Sequence, residues 1–183
     1  MICRLRLAFL KLKKWKLIRL GRTNFGRATF LIFQTDEGFL FLGTYLDIFT
    51  KKVVGFATED HMRTSLLCQA LEMALGRQVR GDGRLVSHSD RGTQYASEDY
   101  RECLKKNKVT ASMSRKGNCY NNAFAESFFA TLKKELIYRT RYKTKDDAKK
   151  ATFEYIEVWY NRERLHSSIG FMSPVQFEEL HPA

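Results

Sequence analysis

Three side chains in this sequence stand where residue type and spacing could act on a charged substrate: Asp90, Glu126 and Lys133. Asp90 belongs to the run His88-Ser89-Asp90-Arg91-Gly92-Thr93-Gln94-Tyr95, which follows a short apolar segment, Arg84–Ser89, that reads as a buried strand. Beyond the carboxyl end of such a strand the backbone turns away and side chains converge on ligands, so Asp90 is placed to hold a cation. The plainer alternative is that Asp90 caps the following turn and Gly92 permits its geometry. Glu126 sits among Phe124, Ala125, Phe128, Phe129, Leu132 and Leu136, which recur at helical spacing. At about 100° per residue Glu126 falls at the margin of that apolar face, and Lys133 lies almost directly along the helix from it. A carboxylate and a lysine thus point the same way, although a solvated face is the default for a lone glutamate on an amphipathic helix.

The elements that must position these groups follow from patterning. Phe30-Leu31-Ile32-Phe33 reads as a strand, Thr35-Asp36-Glu37-Gly38 as a tight turn, and 39–49 and 52–58 as two further strands, giving a three-stranded antiparallel meander. Leu66, Leu67, Ala70, Leu71, Ala74 and Leu75 have helical periodicity, with Thr64 or Ser65 as a cap. Gly81-Asp82-Gly83 breaks the chain before the strand at 84–89. A helix over 97–106, a strand over 109–113, a polar loop over 114–122 and a helix over 123–137 follow. A long helix is expected over 143–162, with a short final helix after Pro174. The order βββ-α-β-α-β-α is that of an α/β ribonuclease H-like fold, a mixed sheet whose antiparallel meander is extended by parallel strands and flanked by helices. The expected organisation is a basic arm over 1–27, a core over 28–140 and a helical extension of the same domain over 141–183.

Bulk properties narrow the classes. The 183 residues carry a formal charge of +12 and are 44% hydrophobic, which excludes a wholly disordered chain and favours a polyanionic partner. Nine basic residues and no acid precede Asp36, so residues 36–183 keep only +3 and most of the excess belongs to the arm. Cys3, Cys68, Cys103 and Cys119 have no zinc-binding spacing and read as reduced thiols of a cytoplasmic protein. The longest apolar run before Lys16, Leu7–Leu10, is too short for a membrane span, which argues against a membrane partner.

Five landmarks occur in one order across about residues 29–178: His88–Tyr95; Ser112-Met113-Ser114-Arg115-Lys116-Gly117; Tyr120-Asn121-Asn122-Ala123; Glu126-Ser127-Phe128-Phe129; and Tyr160-Asn161-Arg162-Glu163-Arg164-Leu165-His166-Ser167-Ser168 with Ser173-Pro174. Between Asp90 and Glu126 lie 35 residues. Landmarks and interval together resemble insertion-sequence transposases with a retroviral-integrase-type catalytic core. That family uses three acids, Asp, Asp and Glu, to hold two Mg²⁺ or Mn²⁺ ions in an in-line displacement at phosphorus. The resemblance implies that Asp90 and Glu126 are the second and third acids, that Lys133 meets phosphate near the scissile bond, and that Arg115, Lys116 and Asn118 contact DNA.

The first acid is where the chain departs from the pattern. Counting back without a gap from the Asp36-Glu37-Gly38 turn puts Thr29 in its place, whereas matching Ala28-Thr29-Phe30 to the family's strand puts Arg27 there. Asp36 and Asp47 are the nearby alternatives. Asn121 replaces an acid usual before Asn122. Three functions are weighed: a transposase core that cleaves and joins DNA, a binding-only remnant of a truncated or frameshifted copy, and a basic RNA- or ribosome-associated protein, against which the ordered landmarks argue. The resemblance further implies transposon-end and target DNA as substrates, a homo-oligomer on DNA, and a separate helix-turn-helix partner for end recognition.

Overall fold

Aromatic and β-branched residues over 25–59 build the meander, because alternate positions can be buried on both faces of a central sheet. The computed structural model describes residues 25–77, 85–89, 93–113 and 123–181. Strand β1 spans Phe25–Thr35, β2 Gly38–Asp47 and β3 Val53–Glu59. β1 and β2 pair without interruption from Gly26↔Asp47 to Thr35↔Gly38. Gly38 takes a φ of 109° in the turn between them, a conformation open to glycine and strained for other residues. β1 is longer than the run at 30–33 and begins inside the segment expected to be an arm. Gly26 and Arg27 carry no apolar pattern, but both join the sheet because β2 pairs on one side and β4 on the other. Residues 1–24 lie outside the described residues.

Helix α1, Thr64–Arg77, leads to β4, Leu85–Ser89, which runs parallel to β1 in the register Phe25↔Val86, Gly26↔Ser87 and Arg27↔His88. One-turn helix α2, Thr93–Ala96, and helix α3, Glu98–Lys106, return the chain to β5, Val109–Met113, parallel to β4. The sheet order is β3-β2-β1-β4-β5. Ser97 caps α3 by accepting from the Tyr100 amide, and acids in its first turn with lysines in its last suit the helix dipole.

Helices cover both faces. On one, α1 and α3 pack Leu67, Ala70, Leu71, Ala74, Tyr100 and Leu104 against Ala28, Tyr45 and Val54. Gly55 makes that approach possible, since a Cβ there would lie 2.1 Å from the Ala70 carbonyl oxygen and 2.7 Å from the Ala74 nitrogen. On the other face lie helix α4, Ala123–Glu135, and helix α5, Lys145–Glu154, which continues into a wider π-helical stretch, Tyr155–Tyr160. Ala125, Phe128, Leu132, Ala148, Ile156 and Tyr160 share one core with Leu31, Phe33, Leu40, Leu42 and Leu46. The regular helix expected over 143–162 therefore contains a widened turn, which delivers Tyr160 and Asn161 to the interior. Buried Asn161 accepts from the Val53 N–H at 2.9 Å and donates to the Val53 carbonyl at 3.0 Å, closing the end of β3. Final helix α6, Pro174–Leu180, starts with proline behind a Ser173/Gln176 capping box. No helix among the described residues is long and apolar enough to cross a membrane.

Candidate active site

Helix α4 presents Glu126 to solvent while Ala125, Phe128 and Leu132 are buried beneath it. Glu126 is in the first turns of the helix, where a carboxylate complements the dipole, and Lys133 is partly buried about 10 Å further along the same stripe. Among the described residues neither makes a hydrogen bond or ion pair. A carboxylate with no partner among the described residues is open to a hard cation, so Glu126 could serve as an oxygen donor to a divalent metal.

Two contacts, one at each end, fix how α4 lies on the sheet. The Lys51 ammonium lies 4.6 Å from the centroid of the Phe124 ring, tying the helix start to the β2–β3 turn. That turn is level with Gly26, because Gly26 pairs with Asp47. The chain leaving α4 reaches the opposite end of β1, where Tyr142 packs on Phe33 and its carbonyl accepts from the Asp36 amide at 3.0 Å. Helix α4 thus runs along β1, with its first turns over the part of the strand that pairs with β4.

On that part of β1, Ala28 and Phe30 pack toward α1 and α3, whereas Leu31 and Phe33 pack toward α4. Strand alternation puts half-buried Thr29 on the α4 face. The parallel ladder ends at Arg27↔His88, so Thr29, two residues on, is level with the chain's exit from β4 after Ser89. Asp90 follows that exit and lies outside the described residues, as do Arg115, Lys116 and Asn118.

Asp36 and Asp47 are committed elsewhere. Asp36 accepts from Arg141 at 2.8 Å in the β1–β2 turn, about 23 Å along the strand from Thr29. Asp47 is buried and accepts from the Phe49 amide at 2.9 Å and the Thr50 hydroxyl at 2.6 Å, holding the β2–β3 turn together. Burial pushes its carboxyl pKa up, against those hydrogen bonds. Sequence reasoning missed a second group, Glu59, Asp60 and His61 at the end of β3, whose ligand atoms lie within 4.8 Å of one another. Gln69 donates to Glu59 at 3.1 Å and Lys145 stands 3.8 Å from Asp60, so protein groups already face both acids.

Comparisons with known proteins agree with this fold. A model described as integrase core domain matches residues 27–119, and a second of the same description matches 107–174. The chain belongs to the integrase core domain family. Among its relatives are the transposase InsF for insertion sequence IS3A of Escherichia coli, 44% identical over 153 residues, and an insertion element IS600 31 kDa protein of Shigella sonnei, 45% identical over 145. These alignments cover 84% and 79% of this chain but 52% and 53% of those proteins, so the chain spans about half the length of the relatives it matches. Similar solved structures include the HTLV-2 integrase catalytic core domain in complex with magnesium, with a TM-score of 0.64 at 13% identity over 89% of this chain and 99% of that one. The catalytic domain of the Mos1 mariner transposase gives 0.59 at 13% identity over 81% and 76%. The mixed sheet flanked by helices is thus the ribonuclease H-like fold expected from the order of elements.

Within this integrase-type core the C-terminal landmark does structural work. Asn161 clamps Val53, and Arg164 reaches Glu135 at the end of α4 at 3.2 Å, where Tyr155 and Trp159 also donate. Despite some burial, these donors and the Arg164 charge lower the Glu135 pKa. The His166 ring stands edge-on to Tyr160 at 4.9 Å, and its Nε2 is buried without a partner among the described residues. Burial, together with the Arg164 and Lys51 charges, depresses its pKa to about 4. A helical wheel cannot locate these roles, because the π-helical stretch shifts the register at 155–160.

Proposed function

We propose that the chain is a transposase catalytic core acting on transposon-end and target DNA, with Asp90 and Glu126 as metal ligands and Thr29 in the place of the first acid. The observation that carries this reading is the Glu126 carboxylate on α4, without a partner among the described residues, over the stretch of β1 that leads to Thr29 and the β4 exit. Membership of the integrase core domain family and the likeness to InsF support DNA as the substrate.

Divalent cations such as Mg²⁺ or Mn²⁺ supply an activated attacking oxygen and an offset for charge on the leaving oxygen. The chain's part is to bring carboxylates together and orient phosphate. Glu126 and Asp90 provide oxygen ligands, and Lys133 provides a cation for a DNA phosphate. Water or a DNA 3′-hydroxyl would attack phosphorus in line and give up its proton to solvent as the new P–O bond forms, while the opposite P–O bond breaks and the departing oxygen takes up a proton. In the joining step the broken bond is replaced by a new phosphodiester. Arg115, Lys116 and Asn118 extend the DNA contact, a copy of the chain on each DNA end provides the assembly, and a helix-turn-helix partner supplies end recognition.

Thr29 is neutral and a weak metal ligand, which favours a second reading: a core that binds element ends but cuts them poorly. Labelled duplex carrying an element end, incubated with Mn²⁺, separates the two. The expected result is slow nicking that disappears in Asp90→Asn and Glu126→Gln while DNA binding persists. A wild-type chain that binds the duplex and never nicks it would leave the binding-only reading standing.

A further inference from the structure

Lys51 occupies a position that its backbone disfavours. Its φ of 66° is left-handed, which glycine adopts without steric cost, so the lysine side chain has to account for the residue. The loop is closed by Lys51 N–H donating to the Asp47 carbonyl at 3.0 Å and by Asp47 N–H donating to the Lys52 carbonyl at 2.8 Å. From there the Lys51 ammonium donates to the Ile48 carbonyl at 2.6 Å and lies 4.6 Å from the Phe124 ring centroid. Phe124 is two residues before Glu126 and half-buried against the core.

Electrostatics make this placement informative. A cation beside the start of a helix opposes the dipole, so the helix backbone does not attract Lys51. Burial pushes the Lys51 pKa down, and what holds the ammonium against it is the face of the Phe124 ring, the Ile48 carbonyl and the charge of Asp47. Asp47 is in turn fixed by Thr50 and the Phe49 amide. The contact therefore links the hydrogen-bonded β2–β3 turn to the first turn of α4, which also carries Glu126.

We propose that Lys51 is a positioning residue for the metal site: by clamping Phe124 it fixes the first turn of α4 and with it Glu126. The inference rests on the reading of Glu126 as a metal ligand, and two readouts keep the ideas separable. The first is hydrogen exchange of the α4 amides in wild type, Lys51→Met, Lys51→Arg and Phe124→Leu. Lys51→Met keeps the apolar stem and loses the cation, so exchange at residues 124–128 is expected to rise several-fold, with Lys51→Arg close to wild type. The second is Mn²⁺ affinity, read from electron paramagnetic resonance of the free ion. Binding is expected to be lost in Glu126→Gln, weakened at least about threefold in Lys51→Met and restored in Lys51→Arg.

Unchanged exchange at 124–128 in Lys51→Met overturns the proposal whatever the metal does. Faster exchange with Mn²⁺ affinity equal to wild type also overturns it, because the contact would then serve stability alone. Mn²⁺ binding that ignores Glu126→Gln overturns both the ligand assignment and the positioning role built on it. Should Lys51→Met unfold, Phe124→Leu tests the same contact from the other side, and wild-type exchange and affinity in that variant are the refuting result.

Discussion

Replacing Asn161 by alanine isolates the clamp that joins the C-terminal segment to the meander. Its side chain satisfies both the N–H and the carbonyl of Val53, at 2.9 and 3.0 Å, and both residues are buried. Alanine leaves two buried backbone groups without partners, each at a cost of about 1–3 kcal/mol, so a total near 3 kcal/mol is expected. A domain of this size has about 5–15 kcal/mol of stability, so the variant should fold with a reduced margin. With a urea slope of about 2 kcal/mol/M, the unfolding midpoint should fall by roughly 1.5 M. Asn161→Asp is the sharper companion. It still accepts from the Val53 N–H but sets a carboxylate oxygen against the Val53 carbonyl, so it should be at least as destabilising as alanine at neutral pH and should recover as the pH falls. Urea unfolding followed by tryptophan fluorescence measures both variants. A loss below about 1 kcal/mol in Asn161→Ala would refute the clamp, since surface substitutions reach half that value.

Gly55→Ala should cost about 3 kcal/mol or leave the chain unfolded, because the new Cβ would overlap the Ala70 carbonyl and the α1 backbone has to retreat; thermal unfolding reports it. His166 gives a pH signature. Its pKa of about 4 in the folded chain lies below the ordinary 6.5, so the unfolded chain binds the extra proton between those values and stability declines as pH falls from 6.5 to 4. After allowance for the ring's partial contact with solvent the loss is about 2 kcal/mol, and it should vanish in His166→Gln, as urea titrations at pH 7, 5.5 and 4.5 would register.

Legibility followed the kind of physics involved. The strands at 39–49, 52–58 and 109–113 and the helices at 66–75 and 97–106 are visible because alternation and helical spacing report burial directly, and each lies within two residues of its place. β1 was hidden at its start because Gly26 and Arg27 enter the sheet through pairing on two edges, a tertiary effect with no local signal. The widened helix at 155–160 was hidden because a π turn breaks the period that a wheel assumes. The placement of Glu126 and Lys133 along one stripe of α4 was legible from helical spacing, whereas the contact of Lys51 with Phe124 was not. Its role depends on a left-handed turn residue meeting a helix 73 positions later, and no pattern within either segment records that meeting. The register adds what the sequence lacks at Arg27 and Thr29: the β1–β2 ladder is unbroken, and Thr29 is level with the exit from β4.

The central claim is that position 29 is the first-ligand place of an integrase-type site, and Thr29→Asp tests it most directly. Metal-dependent nicking of an element-end duplex would be compared among wild type, Thr29→Asp, Arg27→Asp and the double variant Thr29→Asp/Glu126→Gln. A bound cation contributes several kcal/mol to stabilising charge in the reaction, so Thr29→Asp should nick about 100-fold faster than wild type. That gain should depend on Mn²⁺ or Mg²⁺ and be abolished by Glu126→Gln. Thr29→Asp no faster than wild type, or an equal gain in Arg27→Asp alone, would contradict the account.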